Sequence, residues 1–421
     1  MSELLPDDFV LSDDSHDDSY MGLRAAEPDN ARSITRNLRN LAHAAPPGSR
    51  YIYCNMMYTV LTHLIEVETG QSFGKSLQHR VFDPLGMSSS NLQPENAKAR
   101  GHGYRLAKGH IWDKKTLSFR EIEAADCKEG QGAGSIITSA NDFIKWIKAL
   151  LNHEGPINED VYQGLIRPRS SRPAKNRKKN TNTDRIFYAA GMDFYWHGDH
   201  AVFEHSGDIT GFGSRFVFLP DLKFGAVVMG NSSGTNSVAA QLFRELIEHV
   251  TSPRHDQLSP AHSNFDNQGP NQHEASIQAN TEQRDKVKGT ADKARKVSKR
   301  TLKEKGKMSN RNISPTETTK QQDLELVSYT GNYWNPGYRN MKVEIKVDQL
   351  FIDATDRSLG FTAYLEHRGD GLLFDAHVRD AFDTGAEILR TEFVIDNGTV
   401  VRMGMDLEPI VNDLIWFDKV K

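Results

Sequence analysis

The feature that most constrains this 421-residue chain is a break in its composition. From Thr251 to about Gln322 the sequence turns to Asn, Gln, Ser, Lys and His, with few aromatics. Such a stretch cannot bury enough apolar surface to offset the entropy lost on ordering it, so it reads as a polar linker over residues 251–322. Two foldable segments flank it, residues 22–250 and residues 323–421. The start carries Asp7, Asp8, Asp13, Asp14, Asp17 and Asp18, like charges that pack poorly, and residues 1–21 read as a frayed, solvated segment.

Hydrophobic periodicity then assigns elements. Met57, Val60, Leu61, Leu64 and Ile65 fall on one helical stripe that stops at Gly70. Ser139, with Asp142 three residues on, resembles a capping box ahead of the stripe Phe143, Trp146, Ile147, Leu150 and Leu151. Phe216–Leu219, the turn Pro220-Asp221 and Gly225–Met229 predict an antiparallel hairpin, and Val238, Leu242, Phe243, Leu246 and Ile247 predict a helix lying across it. Past Tyr329, alternation at Val343, Ile345 and Val347 and short runs at Leu350–Ile352, Leu372–Phe374 and Phe393–Ile395 predict a small all-β domain of about eight strands, a barrel or a sandwich.

Bulk properties name no partner. A formal net charge of −4 provides no field to gather nucleic acid or an anionic membrane. The basic run Lys286–Lys307 and the stretch from Arg167 to Lys179 read as solvated surface. No apolar run reaches bilayer length and Met1–Val10 lacks a signal core, so the expectation is a cytoplasmic chain that binds neither membrane nor nucleic acid. Two cysteines, Cys54 and Cys127, do not make a disulfide framework.

The chemistry-bearing motifs are short. Tyr53-Cys54-Asn55 directly precedes the first helix, with Pro47-Gly48 upstream and Phe82-Asp83-Pro84-Leu85-Gly86-Met87 downstream. Gly132-Ala133-Gly134 opens the second helical segment, and His205-Ser206-Gly207 precedes the hairpin. In that order these elements resemble the Tyr-x-Asn, Gly-Gly and His-x-Gly elements of the serine β-lactamase and penicillin-binding-protein family, over roughly residues 22–250. Tyr333–Val420 looks like the small β domain that follows in some fungal and microbial members.

The resemblance implies an α/β (α+β) fold, a mainly antiparallel sheet flanked by helices, with a C-terminal β-barrel-like domain. It also implies acyl transfer from a small ester or amide through an acyl-serine, with no cofactor and no metal. Tyr53 would relay protons, His205 would form a cationic or hydrogen-bonding wall, Asn55 would hold the substrate carbonyl, and Gly207 and Asp208 would lie beside the substrate. The family's Ser-x-x-Lys element should precede Tyr53, and residues 1–52 do not contain it. The expectation is therefore a truncated family member, either a hydrolase or acyltransferase whose nucleophile lies elsewhere or a pseudoenzyme that binds an acyl compound. Ser72-Phe73-Gly74-Lys75 has the spacing, but it lies behind Gly70 and reads as a helix N-cap. His197, Asp199, His200, Glu204 and His205 have metal-ligand chemistry but straddle a predicted turn, and Gly130–Gly134 lacks dinucleotide-loop spacing.

Overall fold

A run of phenylalanines one residue deep on each of four strands sets the sheet. Phe187, Phe194, Phe203 and Phe218 sit opposite one another in successive antiparallel pairs, so their rings stack across the ladder. Phe194 and Phe203 stand 4.8 Å apart and Phe203 and Phe218 5.1 Å apart, both stacked. Each such ring contributes about 1.5–3 kcal/mol on leaving water, enough to fix the register, since a one-residue slip would turn all four to the other face.

The computed structural model describes residues 23–113, 116–172, 186–252, 324–357, 359–369, 372–380, 387–408, 410–411 and 413–420. The acidic start, most of the polar linker with its basic run, and the basic residues beyond Arg172 lie outside these. The first half runs α1 (Ala31–Asn37), α2 (Asn55–Thr69), α3 (Phe73–Leu77), β1 (Asn91–Leu92), α4 (Pro94–Ala99), β2 (Gly109–Asp113), β3 (Ser118–Ile122), α5 (Gln131–Gly134), β4 (Ile136–Ile137), α6 (Ala140–Asn152) and α7 (Glu159–Ile166). Then come β5 (Ser170–Arg172), β6 (Ile186–Tyr188), β7 (Asp193–His197), β8 (His200–Ile209), β9 (Phe212–Leu219), β10 (Phe224–Gly230) and α8 (Thr235–Val250).

Strands β5 to β10 form one six-stranded sheet in the order β10-β9-β8-β7-β6-β5, antiparallel throughout. Ile147, Leu150 and Leu151 of α6 pack on the phenylalanine face, and Phe243 and Ile247 of α8 pack on Tyr195, Val202, Val217 and Leu219 of the other. The antiparallel sheet flanked by helices is thus as the sequence predicts, and so is the β9–β10 hairpin.

Two helical stripes are rotated from the expected ones. On α2 the buried residues are Met56, Met57, Thr59 and Thr62, and Leu64 is 48% exposed. The reason is local: Thr59 Oγ1 donates to the carbonyl of Glu129 at 2.6 Å, and Gly132 presses on Tyr58 and Thr62, so a polar loop rather than an apolar sheet covers that face. On α8, Val238 is 69% exposed while Ala239, Phe243 and Ile247 are buried. Gly70 ends α2 in the left-handed region at φ 64°, as expected. Ser139 caps α6 through the Asp142 N–H, but the Asp142 carboxylate turns away to the Ser89 N–H at 2.7 Å and the Ser90 hydroxyl at 3.0 Å, tying α6 to the β1 segment.

The C-terminal segment holds β11 (Gly331–Asn335), β12 (Arg339–Lys346), β13 (Gln349–Ala354), β14 (Phe361–His367), β15 (Leu373–Asp380), β16 (Glu387–Asp396), β17 (Thr399–Met405) and β18 (Ile415–Val420). β18 pairs back onto β11, so the eight strands close into a barrel. Val347, read as part of a strand, is 83% exposed at φ 52° in the turn between β12 and β13.

The barrel core is continuous with the first segment. Leu23, Ile34, Leu41, Met56 and Met57 belong to the same buried cluster as Tyr333, Phe374, Phe393 and Phe417. Asn37 Nδ2 donates to the carbonyl of Gly337 at 2.9 Å, in the β11–β12 loop. The start of α2 is thereby held from the barrel side.

Candidate active site

Strand β8 outruns its neighbour. Its ladder with β7 ends at the pair Asp193–Glu204, whereas its ladder with β9 continues to Ile209–Phe212. Over His205–Ile209 the strand is therefore paired on one side only among the described residues. His205 stands at the point where the second partner stops.

The start of α2 faces that point. Tyr53 and His205 have ring centroids 6.3 Å apart, and Tyr188 stands edge-on to Tyr53 at 6.0 Å. The Tyr53 hydroxyl donates to Oδ1 of Asn55 at 3.1 Å, which orients both side chains of the Tyr-x-Asn element. Gly132 is needed behind them, because a Cβ there would come within 2.2 Å of Thr62 Oγ1 and 2.5 Å of the Tyr58 carbonyl. The three expected residues Tyr53, Asn55 and His205 thus converge.

The protonation pattern of His205 follows from its neighbours. Nδ1 lies 2.7 Å from the carbonyl oxygen of Ser206. A carbonyl only accepts, so Nδ1 carries the proton and Nε2 of the neutral ring is an acceptor. The Tyr188 hydroxyl, 3.3 Å from Nε2, donates to it, and the Tyr58 hydroxyl, 2.6 Å from that of Tyr188, donates in turn. Burial, opposed by the carboxylate of Asp193, pushes the imidazole below its ordinary value and keeps it neutral at pH 7. Burial also pushes the Tyr58 and Tyr188 phenols up, so both remain donors.

Behind this chain of hydroxyls sits an ion pair between Arg172 and Asp193. Oδ1 of Asp193 is buried and has no hydrogen-bond partner among the described residues. Tyr58, Tyr188 and Asp193 carry no local motif, and sequence reading missed them; Arg172, read as part of a solvated basic stretch, is instead largely buried against Asp193. The register of β5, β6 and β7 brings the last three alongside β8.

The remaining expected residues are placed as follows. Gly207 lies in the half-paired stretch, where a Cβ would meet Ser214 Oγ at 2.7 Å, and Asp208 is exposed one residue further on. Ser72 Oγ accepts the Lys75 N–H at 3.4 Å as an N-cap, beyond the far end of α2 from Tyr53. Of the metal-type residues, His200 pairs with Asp221, and Glu204 with Arg215 at 3.2 Å. A cleft of about 500 Å³ lies instead beside Arg24, Arg339 and Arg357, and none of Tyr53, Asn55 or His205 lines it.

A family model described as Beta-lactamase matches residues 6–251, more than half of the chain. The chain belongs to the Beta-lactamase family. This is the family that the sequence reading expected. A second model, a domain of unknown function (DUF3471), matches residues 315–419 of this Beta-lactamase family chain.

Among curated relatives, an unguisins hydrolase of Aspergillus violaceofuscus is 31% identical over 268 residues, covering 56% of this chain and 47% of that protein. A second unguisins hydrolase, of Aspergillus campestris, is 26% identical over 100% of this chain and 76% of its own length. A D-aminopeptidase of Brucella canis is 26% identical over 51% of this chain and 37% of its own. The chain thus spans under half of the first of these relatives. Among solved structures, the octameric penicillin-binding protein homologue from Pyrococcus abyssi aligns at a TM-score of 0.44 and 16% identity, over 92% of this chain and 70% of that one.

Proposed function

We propose that this chain carries the substrate-holding side of a serine hydrolase or acyltransferase site for a small ester or amide. The observation that supports it is the convergence of Tyr53, Asn55 and His205 at the start of the half-paired stretch of β8. An extended amide can lie beside that stretch, where β8 has a ladder partner on one side among the described residues. Asn55 offers an amide N–H to the substrate carbonyl, and the neutral His205 closes the wall opposite. The name of one relative, D-aminopeptidase, favours an amide over an ester.

In this reading Tyr53 is the proton relay. Its hydroxyl donates to Asn55, so it takes a proton from an attacking hydroxyl only by passing its own on. Nucleophilic attack needs a serine with a base one helical turn away. Residues 1–52 hold no Ser-x-x-Lys, and the Ser72 hydroxyl is an N-cap. That favours a second reading for these 421 residues: a site that binds the acyl compound without cleaving it.

One experiment separates the two. Incubate the protein with a fluorophosphonate or a penicillin and record the intact mass. One stoichiometric adduct mapping to a serine near Tyr53 supports turnover and removes the binding-only reading. An unmodified mass, with the same amide retained in equilibrium dialysis, supports binding alone. Neither adduct nor retention sinks both.

A further inference from the structure

We propose that the cleft between residues 24–27 and the barrel strands β12 and β13 binds a small molecule through an oxyanion, a phosphate or a carboxylate group. Arg24 and Arg357 lie deep in this cleft, and Arg339 and Lys342 stand exposed at its mouth. Tyr53, Asn55 and His205 do not line it, so occupancy here is independent of the acyl site.

Charge and burial are out of balance in the cleft. These four cations face three carboxylates, Glu27, Asp353 and Asp356, an excess of one positive charge. Burial widens the difference. The side chains of Arg24 and Arg357 are 11% and 3% exposed, whereas those of Glu27 and Asp356 are 75% and 52% exposed. Water screens the acids far more than the guanidiniums. Asp356 is shared between Arg24 and Arg357, and Oδ1 of Asp353 already accepts the Thr355 N–H at 3.1 Å and its hydroxyl at 2.7 Å. Arg339 donates to the Ala25 carbonyl at 3.2 Å and has no ion pair among the described residues. Burial pushes the Arg357 guanidinium below its ordinary value; Asp356 opposes the shift and Arg24 adds to it. Two like charges are thus held together with one half-exposed carboxylate between them, and an oxyanion in the cleft relieves both.

The deep cations are fixed in place before any ligand arrives. Arg357 donates through its terminal nitrogens to the carbonyls of Tyr338 at 3.0 Å and Asn340 at 2.9 Å. The buried Asp29 accepts the N–H of Ala25 at 3.0 Å and that of Ala26 at 2.7 Å, and Leu23 is fully buried, so Arg24 projects from a pinned backbone. Binding therefore orders little that is not ordered already. Size and chemistry select the occupant. A volume of about 500 Å³ falls within the roughly 300–1,000 Å³ of small-molecule sites. Guanidinium forks match the planar carboxylate and the phosphate alike, and a lining this rich in charge disfavours an apolar ligand.

The test is isothermal titration calorimetry on the 421-residue protein at fixed ionic strength, with pyrophosphate and citrate as probes. We expect saturable binding of at least one of them at one site per chain. Pyrophosphate alone identifies a phosphate site and citrate alone a carboxylate site, and either upholds the cleft. Arg339→Gln together with Lys342→Gln should weaken that binding about tenfold or more. Both side chains are exposed, and a thermal melt without anion confirms that the variant folds. Arg244→Gln removes a cation that does not line the cleft and should leave the affinity unchanged. Absence of saturable binding by both probes overturns the proposal and leaves Arg24, Asp356 and Arg357 as a structural tie alone. Binding that survives the double substitution, or that Arg244→Gln weakens as much, overturns it in favour of a site elsewhere or of diffuse surface charge.

Discussion

The hydroxyl of Tyr188 stands 3.3 Å from Nε2 of His205 and donates to it, so the imidazole of the candidate site is held neutral and already satisfied on both nitrogens. A substrate group that approaches Nε2 has to displace a phenol. That makes Tyr188 a gatekeeper of the ring as much as its partner.

Replacing Tyr188 by Phe removes the donor to Nε2 but leaves the burial that depresses the His205 pKa, so the imidazole should stay below its ordinary value. Histidine Cε1–H resonances followed against pH by NMR will report it. A return to the ordinary value would mean that the hydroxyl, and not burial, holds the ring neutral.

The depressed His205 pKa also sets a stability limb. Above about pH 6.5 neither the folded nor the unfolded ring holds the extra proton, and the folded state has its full advantage. As pH falls below that value the unfolded chain takes up the proton first, so stability declines until the folded ring protonates as well. His205→Asn removes this limb. Urea midpoints at pH 7 and pH 5 should fall further for the parent than for the variant.

Gly132→Ala should destabilise the fold by about 1–3 kcal/mol, because backbone and a buried threonine leave no room for the methyl group. Chemical denaturation measures it. A neutral result would show that α5 can lift off α2 at no cost.

Ser72→Ala should cost about 1 kcal/mol, the loss of an N-cap, and leave any acylation by a penicillin unchanged. Loss of an adduct in this variant would restore the Ser72–Lys75 pair as a catalytic element.

Much of this fold could be read directly from the sequence because its signals are local. The phenylalanine and valine alternation of β9 and β10, the cap at Ser139 and the stop at Gly70 each act within a few residues. Tyr53, Asn55 and His205 were legible for the same reason, each being part of a short motif. Tyr188, Asp193 and Arg172 were not, since strand register over tens of residues delivers them. The rotated faces of α2 and α8 escaped as well. Periodicity finds an apolar stripe but not which neighbour arrives to cover it, and at α2 the neighbour is the polar Gly130 loop.

Asn37 donates to the carbonyl of Gly337, three hundred residues away, and Leu23 and Met57 are buried with barrel side chains that end at Phe417. This part of the chain therefore lacks its packing partners until some three hundred further residues have been synthesised. Met56 and Met57, directly beside the Tyr-x-Asn element, gain their full cover only when the barrel has formed, which ties the order of the site to a contact of long sequence separation.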